Sequence, residues 1–179
     1  MKEKFAPTIV LGAICLVAAL LLAAVNGVTA PLIEQITIDN ANAARQEVMP
    51  EATGFSQVDC DLVEGVTDVY KSENETGYVI TAAAKGFGGN ITVMTAITPD
   101  GSIEAIKVTD ASNETPGLGS KTTTPEHAAK FAGKTTISME DKAAPDYVAP
   151  VSGASYSSKG VFNAVSAALE QYAKIGGAQ

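Results

Sequence analysis

The chain has 179 residues, a net charge of −8 and two cysteines, which allows one domain plus an anchor but not two large domains. Residues 1–33 carry a net charge of +1 from Lys2, Lys4 and Glu3, so the remaining chain carries −9. This acidic remainder argues against nucleic-acid binding, because phosphate contacts need clustered lysines and arginines. The absence of any CxxC pair excludes c-type haem and iron–sulfur ligation within the chain.

The first predicted element is a membrane-spanning helix. Residues 6–33 contain no charge, and about 20 apolar residues suffice to cross a hydrocarbon core of ~30 Å. A cleaved signal peptide is the alternative, but its apolar core is usually only roughly 7–15 residues long, and here Pro31 would directly follow the cut. We therefore expect an uncleaved anchor over residues 1–33. Lys2 and Lys4 favour a cytoplasmic N-terminus and a domain on the extracytoplasmic face of the cell membrane.

A stalk and linker are predicted over residues 34–65. The segment Ile36–Val48 is predicted to be helical, since Asp39-Asn40 offers a start signal and Pro50 stops the pattern. Residues 51–65 are predicted to form a linker with a possible short strand.

The remaining residues, 66–179, are predicted to form one domain of α+β class, a twisted antiparallel sheet with packed helices, preceded by the one transmembrane helix. Turn residues separate four β-rich segments, which predicts an antiparallel meander. A short helix opening at Thr124-Pro125-Glu126, a further possible strand and a longer final helix follow. The predicted strands are Val66–Lys71, Tyr78–Ala84, Ile91–Ile97 and Ile103–Val108, with Lys134–Ser138 as a further candidate, and the helices are Thr124–Phe131 and Val161–Ile175.

Two short motifs are the candidate binding elements. Ser152-Gly153-Ala154-Ser155-Tyr156-Ser157-Ser158 gathers hydroxyl groups around a Gly-Ala pair that lets backbone and ligand approach closely. Glu114-Thr115-Pro116-Gly117-Leu118-Gly119 makes a tight turn that can present backbone N–H groups. Taken alone, the first motif is a common helix start in which Ser157 or Ser158 caps the helix, and the second is an ordinary surface turn.

The order of these motifs along the chain is more specific than either motif. Gly86-Phe87-Gly88-Gly89, Asp100-Gly101 and Phe131-Ala132-Gly133-Lys134 accompany them over roughly residues 77–172. The ordered set resembles the FMN-binding domains of the Rnf and Nqr respiratory complexes. Within that family it is most similar to the G subunits of Rnf complexes, which also have one N-terminal transmembrane helix.

The resemblance implies an electron carrier with FMN esterified through its phosphate to a hydroxyl group. In the family the last residue of an S-G-A-T motif carries FMN, and the matching residue here is Ser155. Neither a catalytic residue nor a metal is implied. The implied partners are the other membrane subunits of an Rnf-type complex, which links ferredoxin and NAD to ion translocation, and a flavin transferase. Further cofactor contacts are implied for Ser152, Gly153, Ala154, Ser157, Ser158, Glu114, Thr115, Gly117 and Leu118.

Two positions depart from the family pattern. Ser155 replaces the usual threonine, and a primary hydroxyl can be esterified as readily as a secondary one. Ala149 stands where the family usually has an acidic residue, while Asp146 lies three residues further back. Two alternatives stay open, namely a tethered extracytoplasmic FMN-binding redox protein outside Rnf, and an anchored binding domain that has lost flavin.

The histidine and the two cysteines are expected to have structural rather than catalytic or metal-binding roles. His127 is the sole histidine and has no accompanying carboxylate or cysteine cluster, so a surface position on the short helix is expected rather than metal ligation. Cys60 is expected to be buried or to be a lone reactive thiol, and Cys15 lies in the membrane segment, so no disulfide is expected to join them.

Overall fold

The computed structural model describes the backbone of residues 2–176 and the side chains of residues 10–33 and 35–176. A long helix precedes five strands, a 3-10 turn and two further helices. The described chain divides into two units between Ala41 and Asn42. The elements are α1 Lys2–Val48, β1 Phe55–Gln57, β2 Val66–Ser72, β3 Tyr78–Lys85, β4 Asn90–Ile97, β5 Ile103–Asp110, the 3-10 turn Gly119–Thr123, α2 Pro125–Ala128 and α3 Ser155–Lys174.

Helix α1 is continuous through the segment where the sequence predicts a separate stalk. The predicted helix start at Asp39-Asn40 is wrong, because both residues lie within α1. The alanines that follow them favour helix, and the Thr37 hydroxyl donates back to the Ile33 carbonyl oxygen at 2.8 Å inside α1 rather than capping a new helix start. The large apolar side chains of residues 10–38 are exposed. Among the described residues, one helix is long and apolar enough to cross a membrane, and it is α1.

The sheet confirms the predicted α+β class. All five strands are antiparallel and lie in sequence order, and β3 pairs with β4 from Tyr78↔Ile97 to Lys85↔Asn90. The four predicted strands are present, each one or two residues longer than expected, and β1 from the linker is the fifth. Gly101 closes the β4–β5 turn with φ +83°, and its N–H donates to the Thr98 carbonyl oxygen at 2.9 Å.

The centre of the sheet is buried on both faces. On one face Ile80 and Ala82 of β3 pack with Val161 and Val165 of α3, and all four side chains have no exposed surface. Val79 points the opposite way on the same strand and is equally buried. This apolar packing fixes the position of α3 on the sheet, and therefore also the position of its N-terminal end.

The last turns of α1, which belong to the second unit, contact the face of the sheet opposite α3. The Arg45 guanidinium carbon lies 3.5 Å from the centre of the Tyr70 ring and a guanidinium nitrogen lies 3.9 Å from an Asp68 oxygen. Glu47 pairs with Lys107 of β5. A cation over a tyrosine ring stabilises by about 0.5–2 kcal/mol, with the higher value for a buried cation such as this one.

The predicted strand at Lys134–Ser138 is not present as a strand. A single bridge joins Ser138 to Tyr147. Gly133 turns the backbone with φ +74°, and its N–H donates to the Ile103 carbonyl oxygen at 2.7 Å, so the segment touches the start of β5 at one point instead of pairing along it. Helix α2 also ends early, at Ala128 rather than Phe131.

Candidate functional site

Helix α3 begins inside the serine-rich motif, six residues earlier than predicted. Ala154 is the N-cap residue and no side chain caps the helix, so the predicted cap at Ser157 or Ser158 is wrong. Gly153 turns the chain into the helix with φ +81°, and the Ser158 hydroxyl accepts from the Val151 N–H at 2.9 Å. Ser155 is the first helical residue and its side chain is exposed.

The exposed position of Ser155 coincides with free backbone donors. The first N–H groups of an α-helix have no acceptor within the helix, and together with the helix dipole they favour an anion at this end. Helix α3 has no acidic residue in its first turn that would occupy these donors. A phosphate group attached at Ser155 would therefore lie where the backbone favours negative charge.

Ser155 lines a cavity of about 270 Å³ between the two predicted motifs. The turn before the 3-10 helix forms one wall, and the start of α3 forms the other. Phe87, from the β3–β4 turn, closes one end. The lining residues are Phe87, Thr115, Leu118, Gly119, Gly153, Ala154, Ser155, Tyr156 and Ser157.

Glu114 holds the three parts of the cavity wall together from behind. It is 4 % exposed. One carboxylate oxygen accepts from the N–H groups of Phe87 at 2.9 Å and Gly88 at 3.0 Å. The other accepts from the Ser157 hydroxyl at 2.5 Å. The carboxylate thus ties the β3–β4 turn to the first turn of α3, and hydrogen bonds to a charged acceptor are the stronger kind.

Glycines allow this close packing around the carboxylate. A Cβ at Gly119 would lie 2.5 Å from a Glu114 oxygen and 2.9 Å from the Ser157 hydroxyl. A Cβ at Gly86 would lie 2.4 Å from the other Glu114 oxygen. All three distances are below van der Waals contact, so the carboxylate reaches its donors because these two positions have no side chain.

An exposed aromatic pair forms the rim of the cavity. Phe87 and Tyr156 are 68 % and 70 % exposed, and their ring centres lie 6.4 Å apart with an interplanar angle of 54°. Leu118 beside them is also exposed. Large apolar side chains at the mouth of a cavity are typical of a ligand site rather than of solvated surface.

The structure brings most, but not all, of the sequence-derived site residues to the cavity. Glu114 and Ser158 are buried behind the wall, and Ser152 lines a different cavity. Gly117 turns the neighbouring loop with φ +75°. Tyr156 was not predicted as a contact, although its place directly after Ser155 in a helix start was a usable signal. The predicted residues that line the cavity are Thr115, Leu118, Gly153, Ala154, Ser155 and Ser157.

Known proteins match the part of the chain that forms the cavity. The FMN-binding domain family matches residues 86–170, which include the Phe87 turn, both motifs and most of α3. The G subunit of the Na(+)-translocating ferredoxin:NAD(+) oxidoreductase complex of Acetobacterium woodii is 31 % identical, with 97 % of this chain and 94 % of that protein covered. The chain belongs to the family of G subunits of ion-translocating oxidoreductase complexes.

A second relative and a solved structure also match the chain. The G subunit of the proton-translocating ferredoxin:NAD(+) oxidoreductase complex of Clostridium ljungdahlii is 30 % identical, with 88 % of this chain and 85 % of that protein covered. The crystal structure of the C subunit of the Na(+)-translocating NADH-quinone reductase of Parabacteroides distasonis is 25 % identical, covers 61 % of this chain and 60 % of that one, and has a TM-score of 0.47. The FMN-binding domain supports a flavoprotein electron carrier.

The cavity of this FMN-binding domain fits a flavin in its chemistry. Phe87, Leu118 and Tyr156 offer apolar surface for a flat ring, while Ser155 and the α3 N-terminus offer a hydroxyl and N–H donors for a phosphate. Gly153, which lines this cavity, has φ +81°, a backbone conformation that disfavours any residue with a Cβ. The volume of about 270 Å³ is just below the usual range of roughly 300–1,000 Å³ for ligand pockets, so a cofactor would remain partly exposed.

His127 is buried, and its predicted surface position is wrong. It is 2 % exposed, its ring packs edge-on against Phe131 with centres 5.6 Å apart, and its Nδ1 lies 3.1 Å from the Thr122 carbonyl oxygen. Burial, and then the nearby Lys130 ammonium, lower the pKa of His127. Helix α2 is too short to show an amphipathic pattern of its own, which is why this burial has no signal in the sequence.

The position that departs from the family pattern has a basic neighbour. The Ala149 carbonyl oxygen accepts from the Lys130 ammonium at 3.3 Å. Asp146 does not reach Ser155; it lines a separate small cavity with Gly133 and Lys134. Asp146 therefore does not replace an acid at position 149.

Both described cysteines are free thiols. Cys60 is half-buried, and its sulfur accepts a hydrogen bond from the Gln171 amide at 3.4 Å. Gln171 is fully buried and also accepts from the Val63 N–H at 2.6 Å. The linker before β2 is thus held against α3 by one polar side chain.

Proposed function

We propose that this protein is a membrane-anchored flavoprotein electron carrier whose FMN is esterified through its phosphate to the Ser155 hydroxyl oxygen. The observation that carries the proposal is the placement of Ser155, an exposed hydroxyl at the N-terminus of α3 and in the wall of an apolar cavity. When bound, FMN supplies one- and two-electron redox chemistry. The residues of the chain hold and position it.

The phosphate end of the site is formed by the start of α3. Ester formation replaces the Ser155 O–H bond with an O–P bond. The phosphate anhydride bond of the activated flavin donor breaks, the other half of the donor leaves as its monophosphate, and the hydroxyl proton leaves to a base or to water. The uncapped N–H groups of the first α3 turn then face the ester phosphate. Ser157 and Ser158 are buried and already hydrogen-bonded, so Ser155 is the accessible acceptor among them.

The ring end of the site is formed by the two loops that Glu114 ties together. We assign Thr115, Leu118, Gly153 and Ala154 to direct contact, in agreement with their positions in the cavity wall. Glu114 and Ser158 support the wall from behind, and Gly117 shapes the loop. Phe87 and Tyr156 join the set of contact residues.

The membrane and complex parts of the proposal rest on α1 and on the relatives. We assign residues 1–33 to the anchor, residues 34–65 to the stalk and linker, and residues 66–179 to the FMN-binding domain. Lys2 and Lys4 favour a cytoplasmic N-terminus and an extracytoplasmic domain. Because the matched relatives are subunits of ferredoxin:NAD(+) oxidoreductase complexes, the partners are the other membrane subunits of such a complex, and a flavin transferase matures the protein.

Covalent attachment is tested by co-expression of the full chain with an active flavin transferase, followed by denaturing gel electrophoresis under ultraviolet light. Wild-type protein is expected to fluoresce, and Ser155→Ala is expected to lose the signal. Ser56→Ala is the control, because this exposed serine of β1 lines neither this cavity nor the neighbouring one, and its fluorescence is expected to persist. A dark wild-type band in the presence of active transferase would contradict covalent attachment.

The orientation is tested by protease accessibility in sealed vesicles. Right-side-out vesicles are expected to lose the domain to external protease, whereas inverted vesicles protect it. Protection in right-side-out vesicles would contradict the proposed sidedness.

A further inference from the structure

A second cavity of about 450 Å³ adjoins the loop that carries Ser155. Pro150, Val151 and Ser152 line it, whereas the next residues of the same loop, from Gly153 on, line the cavity described above. The two cavities therefore share the segment 150–157, which comprises the loop before α3 and the first residues of that helix. The remaining walls of the second cavity come from the 3-10 turn and the α2 region, through Lys121, Thr124, Glu126, His127 and Lys130.

Two lysine ammonium groups at this second cavity lack anionic partners. Lys130 donates to the Ala149 carbonyl oxygen at 3.3 Å, which uses one of three N–H donors. Neither Lys130 nor Lys121 forms an ion pair with a described carboxylate, in contrast to Lys71 and Lys107. Glu126 is the one carboxylate in the lining, so the walls carry net positive charge in a domain that is otherwise acidic.

A buried imidazole and a free hydroxyl complete the second cavity. The His127 Nδ1 faces a carbonyl oxygen, which only accepts, so in the neutral ring the hydrogen is on Nδ1. Its Nε2 has no hydrogen-bond partner among the described residues, although the side chain is 2 % exposed and lines the cavity. The Ser152 hydroxyl is also without a partner in the described part of the chain.

We infer that the cavity lined by Lys121, Lys130, His127 and Ser152 is a binding site for a phosphate group. Two ammonium groups neutralise the phosphate charge. The serine hydroxyl can donate to a phosphate oxygen, and Nε2 can accept a hydrogen from a protonated phosphate. This donor set differs from the Ser155 cavity, whose lining contains no cation.

The phosphate has two chemical sources, a free phosphate or nucleotide and the phosphate of a flavin attached at Ser155. The second source rests on the proposed function, whereas the first is independent of it. The shared segment 150–157 is the reason to consider both.

The first arm of the test uses the full-length Ser155→Ala chain in detergent and inorganic phosphate as the probe, with calorimetric titration at constant ionic strength. Saturable binding is expected. Lys121→Gln and Lys130→Gln are each expected to weaken it at least tenfold, while Lys142→Gln, an exposed lysine away from this cavity, leaves it unchanged. Lys121 is exposed, so its substitution does not endanger folding, and unchanged thermal unfolding confirms this.

The second arm repeats the titration with the wild-type chain made with active transferase. Loss of phosphate binding on flavin attachment identifies the flavin phosphate as the natural occupant, and retained binding identifies a separate phosphate or nucleotide. No saturable binding to the Ser155→Ala chain, or binding that Lys121→Gln and Lys130→Gln leave unaltered, would overturn the inference. The first arm involves no flavin, so failure of flavin attachment does not affect its result.

Discussion

Replacement of Glu114 by alanine is expected to destabilise the domain by about 3 kcal/mol. Each hydrogen bond to a charged group contributes about 1.5–3 kcal/mol, and Glu114 accepts three. The Phe87 and Gly88 N–H groups are partly exposed and can turn to water in the variant, so the full sum is not lost. The Ser157 hydroxyl is buried and cannot.

For a domain of this size a loss of about 3 kcal/mol lowers the unfolding temperature by about 10 °C. The assay is thermal unfolding of the full-length chain in detergent, followed by near-ultraviolet circular dichroism of its tyrosines and phenylalanines, since the sequence contains no tryptophan. Glu114→Gln removes the negative charge of the side chain and keeps its size. Its amide oxygen still accepts from the backbone while its amide nitrogen donates to Ser157, so a loss of only about 1 kcal/mol is expected.

The matched control is Glu170→Ala, which removes an exposed carboxylate of α3 without a described hydrogen bond or ion pair. Its unfolding temperature should stay close to that of the wild type, since such surface changes stay within about 0.5 kcal/mol. If Glu114→Ala unfolds within about 2 °C of this control, an effect below about 1 kcal/mol, the carboxylate does not hold the cavity wall together.

Two further predictions concern buried polar side chains. Burial, and to a lesser extent the charge of Lys130, lowers the pKa of His127 below its ordinary value of 6.5. The stabilisation that depends on the neutral ring is therefore complete above about pH 6.5. It is lost as the pH falls through the pKa of His127 in the folded protein. The unfolding temperature of the wild type should fall more steeply over this range than that of His127→Gln, and parallel curves would contradict this. Gln171→Ala removes the hydrogen bonds that hold the linker before β2 against α3. If this lowers the free energy for local opening of the linker by about 1.4 kcal/mol, alkylation of Cys60 by a water-soluble maleimide should be roughly tenfold faster. Both chains carry Cys15→Ser, so that Cys60 is the one thiol that reacts. An unchanged rate would show that Gln171 does not hold the linker against α3.

The sheet was predictable because its signals are local. Segments rich in β-branched residues mark β2 to β5, and the turn at Asp100-Gly101 sets one hairpin without any distant contact. The start of α3 was harder to predict, because its serines resemble N-cap residues. Their hydroxyls instead bond to Glu114 and to the Val151 N–H, and only the packed loops supply those partners.

The candidate site was predictable as a set of motifs but not as an arrangement. Glu114 lies 27 residues from Phe87 and 43 from Ser157 in sequence, and no local pattern indicates that one carboxylate connects them. The burial of His127 similarly depends on the ring of Phe131 and on a loop carbonyl. Contacts of this range follow from tertiary packing, which periodicity and turn residues do not encode.

The most direct test of the central claim is the mass of the full chain after co-expression with an active flavin transferase, with the site mapped by fragmentation. The tryptic peptide from Ala143 to Lys159 contains Ser152, Ser155, Ser157 and Ser158, so fragment ions must separate the four serines. The expected result is a gain of one FMN less one water, located on Ser155 and absent in Ser155→Ala. An unmodified chain, or the same gain located on another residue, would contradict it.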